Sequence, residues 1–165
     1  MLNESYAECL IKKKPPGPAP LIKILLAVGL LITAGSILLF GLAGFIAFAA
    51  MCAFAYHTIQ NLNVEYEYVF VNGDLDIDKI MNKARRKRMF SVDADQMELL
   101  APVGAVELMQ YKKIKTYDYT SGKKDEKIYA LIASNKGEVC KVLFEPNETI
   151  VEGFFVKAPR KVIRK

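Results

Sequence analysis

The sequence predicts an α+β fold in which a transmembrane helical hairpin precedes a seven-stranded curled sheet that is closed by a C-terminal helix. Three observations lead to this prediction. Residues 21–56 form one apolar run that is interrupted only by Lys23. After residue 62, apolar and polar side chains mostly alternate with the period of two that is typical of strands. Near the C-terminus the apolar residues take the spacing of an amphipathic helix.

The apolar run is too long for a single membrane span. Its 36 residues would extend about 54 Å as a helix, whereas the hydrocarbon core of a bilayer is about 30 Å thick. A transmembrane hairpin over residues 20–60, with helices at 20–39 and 42–59, fits this thickness better. Because glycine tolerates a turn, we place the turn at Gly41. Gly35 is a competing break that leaves the first span too short.

Small side chains recur along both predicted spans at the i, i+4, i+7 spacing of one helix face. Helices in lipid associate through such residues, because small side chains let the backbones approach closely. The predicted packing residues are Gly29, Thr33 and Ser36 in the first helix and Ala43, Ala47 and Ala50 in the second. The alternative stays open that Ala and Gly are simply common in membrane helices.

Positive charge near the spans predicts their orientation, because Lys and Arg that flank a span are retained on the cytoplasmic side. Lys12, Lys13, Lys14 and Lys23 precede or open the first span, and residues 24–63 carry no charge. We therefore expect a multi-pass protein of the cell membrane with both termini in the cytoplasm. Residues 1–19 form its N-terminal segment and residues 61–165 its cytoplasmic domain. A signal peptide fits poorly, because the run is too long and starts too late.

The charge distribution argues against nucleic acid as a partner. The formal net charge of +5 divides into +1 for residues 1–20, +1 from Lys23 and +3 for the remainder, where 19 cations face 16 anions. This domain is mixed rather than basic, and no aromatic residues interleave with its basic clusters. The three cysteines, at positions 9, 52 and 140, lack the spacing of a disulfide framework or a metal site. Cys140 is predicted to be a small buried side chain on a strand.

Seven strands are predicted after the hairpin, at about residues 64–70, 75–80, 85–92, 97–101, 113–119, 127–134 and 138–144. Asn72-Gly73 is a strong signal for a hairpin turn, and a second turn is predicted at 135–137. Pro102 ends the fourth strand because it lacks the ladder donor, and residues 103–111 form an irregular or short helical connection. Asn147 caps a C-terminal helix with an apolar stripe, which Pro159 ends. The stripe consists of Ile150, Val151, Phe154 and Phe155.

This order of elements resembles the pleckstrin-homology-like domains of bacterial membrane proteins, in which a small seven-stranded barrel is closed by a C-terminal helix. More specifically, the chain resembles a family of small bacterial two-span membrane proteins whose domain has no assigned function. The segments that carry the resemblance are 64–68, 72–73, 75–80, 86–88, 115–122, 144–148 and 159–162. The resemblance implies a pleckstrin-homology-like β-barrel over residues 61–165 and no particular activity.

The sequence shows no catalytic constellation, so we expect a protein that is not an enzyme and holds no cofactor or metal. His57, the single histidine, lies at the end of the second span without a carboxylate or Cys at ligand spacing. Asp74, Asp76 and Asp78 have the spacing that opens a calcium loop, but the closing Glu is missing. Alternating carboxylates on an exposed strand explain these three residues better.

The strongest candidate for binding is a basic run that consists of Lys83, Arg85, Arg86, Lys87 and Arg88. On a membrane-tethered domain, such a run can meet the anionic inner leaflet with about 1 kcal/mol per cation. The alternative is a solvated hairpin whose charge is balanced by nearby acids. A second basic set lies near the C-terminus, at Arg160, Lys161, Arg164 and Lys165.

We therefore expect an interaction module that the hairpin holds at the inner face of the membrane, where it binds a protein partner or anionic lipid. Tethering favours weak contacts because it makes them effectively intramolecular. The alternative is an oligomerising membrane subunit, a pore or transport accessory, in which the hairpin is the functional part. Its spans lack the central ionisable residues that usually mark ion pathways. An enzyme that uses strand carboxylates is the weakest hypothesis.

Overall fold

The computed structural model describes residues 6–123, 127–135 and 137–164. Strand β1 (Tyr6–Lys12) is followed by helices α1 (Ala19–Phe40) and α2 (Leu42–Leu62). Next come β2 (Val64–Val71), β3 (Asp74–Met81), β4 (Arg85–Asp93), β5 (Met97–Pro102) and a 3₁₀ helix (Val106–Tyr111). The chain then forms β6 (Lys115–Asp118), β7 (Tyr129–Asn135), β8 (Glu138–Phe144), α3 (Glu148–Lys157) and a second 3₁₀ helix (Pro159–Lys161).

The described residues fall into two compact units. The hairpin unit contains residues 15–64 and 81–85, and the β unit contains the described residues of the ranges 6–14, 65–80, 86–123, 127–135 and 137–164. In the hairpin unit, α1 and α2 pack against each other on either side of Gly41, which confirms the predicted turn. Gly41 has a φ of 54°, a conformation that glycine adopts without steric cost.

The structure places the expected packing residues differently in the two helices. In α1, Gly29, Thr33 and Ser36 are half-buried. In α2, by contrast, the three expected alanines at 43, 47 and 50 are exposed. Gly44 occupies the packing position, because a Cβ there would lie 2.3 Å from the carbonyl oxygen of Ser36. The packing face of α2 is thus rotated by one residue toward the position where the absence of a side chain permits the closest approach.

The β unit contains two four-stranded sheets in the described part of the chain, with strand orders β1-β2-β3-β4 and β5-β7-β8-β6. The expected seven-stranded closed barrel is therefore replaced by two sheets, since β4 and β5 do not pair and closure requires every edge strand to have a neighbour. Tyr68 and Phe144 pack edge to face across the sheets, with ring centroids 5.5 Å apart. The ring centroids of Phe154 of α3 and Phe70 are 4.8 Å apart, so this contact packs the helix against the same core.

The eighth strand comes from the N-terminal segment, where the sequence pattern predicts no strand. β1 pairs antiparallel with β2, from Tyr6 opposite Val71 to Lys12 opposite Glu65. The hairpin is therefore an insertion between two neighbouring, paired strands. The sheet-forming part of the chain begins before the hairpin and not only at residue 61.

Two predicted features of the C-terminal half are present in the structure, and one strand pairing there is new. The Asn147 side chain accepts a 2.9 Å hydrogen bond from the amide of Ile150, which confirms the N-cap of α3. Residues 103–111 contain the expected short helical connection. β6 runs parallel to β8, a pairing that the sequence pattern does not predict.

Candidate functional site

The contacts of the predicted basic run divide it into two parts. Arg86 and Arg88 of β4 pair with carboxylates of β2 and β3. Arg86 pairs with Glu67, and its Nη1 lies 3.7 Å from Asp78 Oδ2. Arg88 Nη2 lies 2.9 Å from Asp76 Oδ2, and Arg88 Nε lies 3.6 Å from Asp78 Oδ1. These two arginines are therefore engaged within the first sheet.

The carboxylates of this cluster are much less accessible than the arginines. The side chains of Glu67 and Asp78 are 7% exposed, against 56% for Arg86. Burial raises the pKa of Glu67 above its ordinary value; the Arg86 guanidinium opposes this rise, and Glu8 adds to it. Glu67 Oε2 and Asp78 Oδ1 have no hydrogen bond among the described residues, so the ion pairs are what offset their burial.

The other three cations of the run are Lys83, Arg85 and Lys87, which are exposed and have no ion pair among the described residues. Lys83 lies in the connection between β3 and β4, and Arg85 is the first residue of β4; we call residues 82–85 the basic turn. Asn82 and Lys83 have φ values of 48° and 56°. Such left-handed conformations are uncommon outside glycine, and they mark a sharply defined turn.

The basic turn is attached to the C-terminal end of α2. The amide of Asn82 donates a 2.7 Å hydrogen bond to the carbonyl oxygen of Asn63, the residue that follows α2. The Asn63 side-chain amide donates in return to Asn82 Oδ1 at 3.3 Å. Lys83 and Arg85 are therefore part of the hairpin unit, although they follow the last residue of α2 by 21 and 23 positions in sequence.

A second group of lysines lies where the chain leaves β1 and approaches α1. Lys13 Nζ lies 5.5 Å above the ring of Tyr66, which packs edge to face on Tyr119 at 5.5 Å. Tyr119 stacks on Tyr117, and Lys115 Nζ lies 5.1 Å above the Tyr117 ring. This ladder of tyrosines between two lysines joins the first sheet to the second, and cation–π contacts hold both of its ends.

A buried polar network supports the same region. Glu145 Oε1 accepts hydrogen bonds from the amide and hydroxyl of Ser121, at 2.8 and 2.9 Å. The carbonyl of Ser121 in turn accepts a 2.7 Å hydrogen bond from the amide of Lys14. The Tyr68 hydroxyl donates to the carbonyl of Tyr119 at 2.7 Å, and burial raises its pKa. The segment that leads into the hairpin is thus fixed to the core of the β unit.

The remaining candidates from the sequence do not form a metal or catalytic site among the described residues. His57 is exposed on α2, and Asp76 and Asp78 are engaged by the two arginines. No group of three or more His, Cys, Asp or Glu side chains is placed to hold a metal ion within the described ranges. Cys140 is buried, as predicted, and burial raises its pKa. Its thiol donates to the carbonyl of Ala133 at 3.5 Å, which indicates a structural role.

A cavity of about 260 Å³ lies beside α3 in the β unit. Two cations, Lys127 and Arg164, and two carboxylates, Glu148 and Glu152, contribute to its lining. Arg164 pairs with Glu152 and lies 3.4 Å above the ring of Phe155. The charges in this cavity are therefore mixed in sign, and one cation is already engaged.

Comparison with known protein families finds a match to a family model described as a bacterial PH-like domain (DUF6106), over residues 3–164. The matched region includes β1, the hairpin and the strands that follow, so the insertion lies inside the family's own domain. Comparisons with curated proteins and with solved structures find no match.

Proposed function

Because the chain belongs to the bacterial PH-like domain family DUF6106, we propose that it is a membrane-anchored interaction module that acts at the inner face of the membrane. PH-like domains are generally interaction modules without enzymatic activity. The observation that carries the proposal is the insertion of two apolar helices between the paired strands β1 and β2.

The lengths and surfaces of α1 and α2 support membrane insertion. The helices have 22 and 21 residues and are apolar enough to cross a bilayer. A core helix of a soluble protein would be mostly buried, whereas only 6% and 11% of their most apolar windows are buried. The exposed side chains that cover them, such as Leu31, Ile32 and Leu38, suit contact with lipid.

The pairing of β1 with β2 supports a two-span topology. Paired strands must lie on the same side of the membrane, so the chain that leaves Lys12 has to return to that side before Val64. Two crossings with a turn at Gly41 satisfy this requirement. The lysines at positions 12–14 and the absence of charge near the turn favour a cytoplasmic location for both termini.

The basic turn is the surface that we assign to binding. Its attachment to Asn63 keeps Lys83 and Arg85 at the end of a membrane helix, where the anionic head groups of the inner leaflet lie in this topology. Each cation near such a surface contributes about 1 kcal/mol. Arg86 and Arg88 contribute less to this surface, because their charge is already balanced by carboxylates.

Lipid retention by the full chain tests this assignment. The variant Lys83→Glu/Arg85→Glu and the control Lys157→Glu/Arg160→Glu change the net charge equally, and all four positions are exposed. After mild detergent extraction, native mass spectrometry counts the anionic phospholipids that remain bound. We expect fewer on the turn variant than on the control. Equal retention by both variants would remove the turn as a lipid site.

A protein partner at the same surface is tested by crosslinking in native membranes. The turn variant should lose a partner that the wild-type chain and the control variant both capture. The pore or transport alternative gains no comparable support. The hydroxyl groups of Thr33 and Ser36 donate hydrogen bonds to carbonyl oxygens of their own helix, so they are not left to line a polar path. Ion flux through liposomes that contain the purified chain would be the evidence in its favour.

A further inference from the structure

The connection between β5 and β6 (residues 103–114) exposes three large apolar side chains within seven positions. Val103 is 55% exposed, Val106 70% and Met109 58%. Val106 and Met109 both belong to the 3₁₀ helix Val106–Tyr111. Because a 3₁₀ helix has three residues per turn, residues three apart lie one above the other on the same side.

The exposed apolar side is held in place by the opposite side of the connection. Leu108 is 9% exposed and packs in a small cluster with Ala101, Ala130 and Ile132 of the second sheet. Tyr111 and Ile114 pack against the same cluster. The Tyr111 hydroxyl also donates to Glu98 at 3.2 Å. Val106 and Met109 are therefore presented by an anchored segment.

The charges that follow complement an anionic surface. Lys112 and Lys113 are exposed directly after the 3₁₀ helix, and Lys115 opens β6. Glu107 is the one carboxylate between Pro102 and Lys115. Apolar side chains next to a cluster of lysines are the composition of segments that lie in the interfacial layer of anionic bilayers.

The β5–β6 connection starts at one end of the second sheet. The same end is hydrogen-bonded, through Ser121, to the segment that precedes α1. Pro102 pairs with Tyr129, which pairs with Phe144. Beside them, the amide of Tyr119 donates to Leu143, and two residues later Ser121 accepts the hydrogen bond from Lys14. Five peptide links separate Lys14 from Ala19, the first residue of α1, so the chain between them spans at most about 18 Å. The hydrogen bond between Lys14 and Ser121, together with this short chain, thus limits how far this end of the sheet can move from a bilayer that contains α1.

We propose that the β5–β6 connection is a second membrane contact, whose apolar side enters the interfacial layer of the anionic inner leaflet. The inference rests on the proposed anchoring by the hairpin, which keeps the bilayer within reach. Its consequence is that the β unit holds one fixed orientation on the membrane surface and presents its other faces to partners.

The absence of tryptophan from the sequence allows a direct test. Single tryptophans are introduced as Val106→Trp and Met109→Trp in the full chain, with Val156→Trp as the control. Val156 is an apolar residue of α3 that is 66% exposed. The proteins are reconstituted in phosphatidylglycerol vesicles whose acyl chains carry bromine, a quencher of tryptophan fluorescence. We expect blue-shifted emission and quenching at positions 106 and 109, and neither effect at position 156.

Three further measurements identify the cause of any quenching. Replacement of phosphatidylglycerol by phosphatidylcholine, or the charge reversal Lys112→Glu/Lys113→Glu, should weaken the quenching of the tryptophan at position 106. Ile32→Trp, at a position of α1 that is 68% exposed, reports on insertion of the hairpin itself.

The outcomes separate this inference from the proposed anchoring. If Ile32→Trp is quenched and Val106→Trp is as accessible to aqueous iodide as Val156→Trp, the second contact is refuted while the anchor stands. If Val106→Trp is shielded from both iodide and brominated lipid, a protein or a second copy covers the connection and the lipid contact is refuted. An unquenched Ile32→Trp would overturn the anchor.

Discussion

The amide of Asn82 donates a 2.7 Å hydrogen bond to the carbonyl oxygen of Asn63, and so joins the turn between β3 and β4 to the residue that follows α2. The two asparagines are 19 positions apart in sequence. Their contact places a sharply turned basic segment at the end of α2, a helix that is long and apolar enough to cross a bilayer. In the proposed topology, this contact holds Lys83 and Arg85 near the bilayer surface.

Substitution of Asn82 tests this turn. Asn82→Val removes the side-chain acceptor and places a β-branched residue at a φ of 48°, so it should lower the free energy of unfolding by about 1–3 kcal/mol. Asn82→Gly retains the backbone donor and accepts the conformation, and it should cost less than Asn82→Val. Thermal unfolding of the full chain in detergent measures both. Equal stability of the two variants would contradict the role of the turn conformation.

The Glu145 network gives a prediction for the β unit. Glu145→Ala leaves the amide and hydroxyl of Ser121 without their buried acceptor, which should cost about 1–3 kcal/mol. Ser121→Ala keeps the backbone bond and should cost less. Glu138→Ala, at an exposed position of β8, is the control and should be nearly neutral. Denaturant titration compares the three variants, and a neutral Glu145→Ala would count against the network.

The corrected packing face of α2 is tested by a matched pair of substitutions. Gly44→Ile inserts a branched side chain where even a Cβ would lie 2.3 Å from the Ser36 carbonyl oxygen, so it should separate the helices and destabilise the hairpin. Ala43→Ile, one residue earlier and exposed, should leave the hairpin unchanged. Helix content during thermal unfolding in detergent reports the difference. A larger loss from Ala43→Ile would restore the face predicted from the sequence.

The raised pKa of Glu67 gives a pH dependence with a definite sign. Its ordinary value is near 4.5 and its value in the folded chain is higher, so the folded state binds this proton more tightly than the unfolded state. The associated stability is complete below the ordinary value and is lost as the pH rises through the raised value. Glu67→Gln should flatten the fall in unfolding free energy over this window, whereas the control Glu65→Gln, on the same strand, should not. Denaturant titrations at several pH values would contradict the assignment if both variants kept the wild-type slope.

Local patterns in the sequence were sufficient for much of the fold. The length of the apolar run, the turn at Gly41, the cap at Asn147 and most strand positions follow from periodicity and turn chemistry, which act over a few residues. β1 was not predicted because its apolar and polar residues do not alternate clearly. The inward residues are Ala7, Cys9 and Ile11, of which two are small, and the outward Leu10 is also apolar. Its pairing with β2 also spans the entire hairpin, a separation that no local pattern reports.

The same distinction applies to the candidate site. The sequence predicted the basic run as one cluster. It could not show that two arginines of the run pair with Glu67 and Asp76, while its other cations have no ion pair among the described residues. That division depends on which strands are neighbours. The attachment of Asn82 to Asn63 is likewise a tertiary contact, and so is the docking of Leu108 that exposes Val106 and Met109.

The central claim is that the hairpin crosses the membrane twice between two paired strands, so that both of its ends lie in the cytoplasm. Labelling of single cysteines in right-side-out spheroplasts tests it most directly, with the cysteines at 9, 52 and 140 replaced by serine. Leu42→Cys, beside the turn, should react with a membrane-impermeant maleimide in intact spheroplasts, while Lys14→Cys and Lys157→Cys should react only after the membrane is opened. Labelling of Lys14→Cys or Lys157→Cys in intact spheroplasts would contradict the two-span topology and the cytoplasmic location of the β unit.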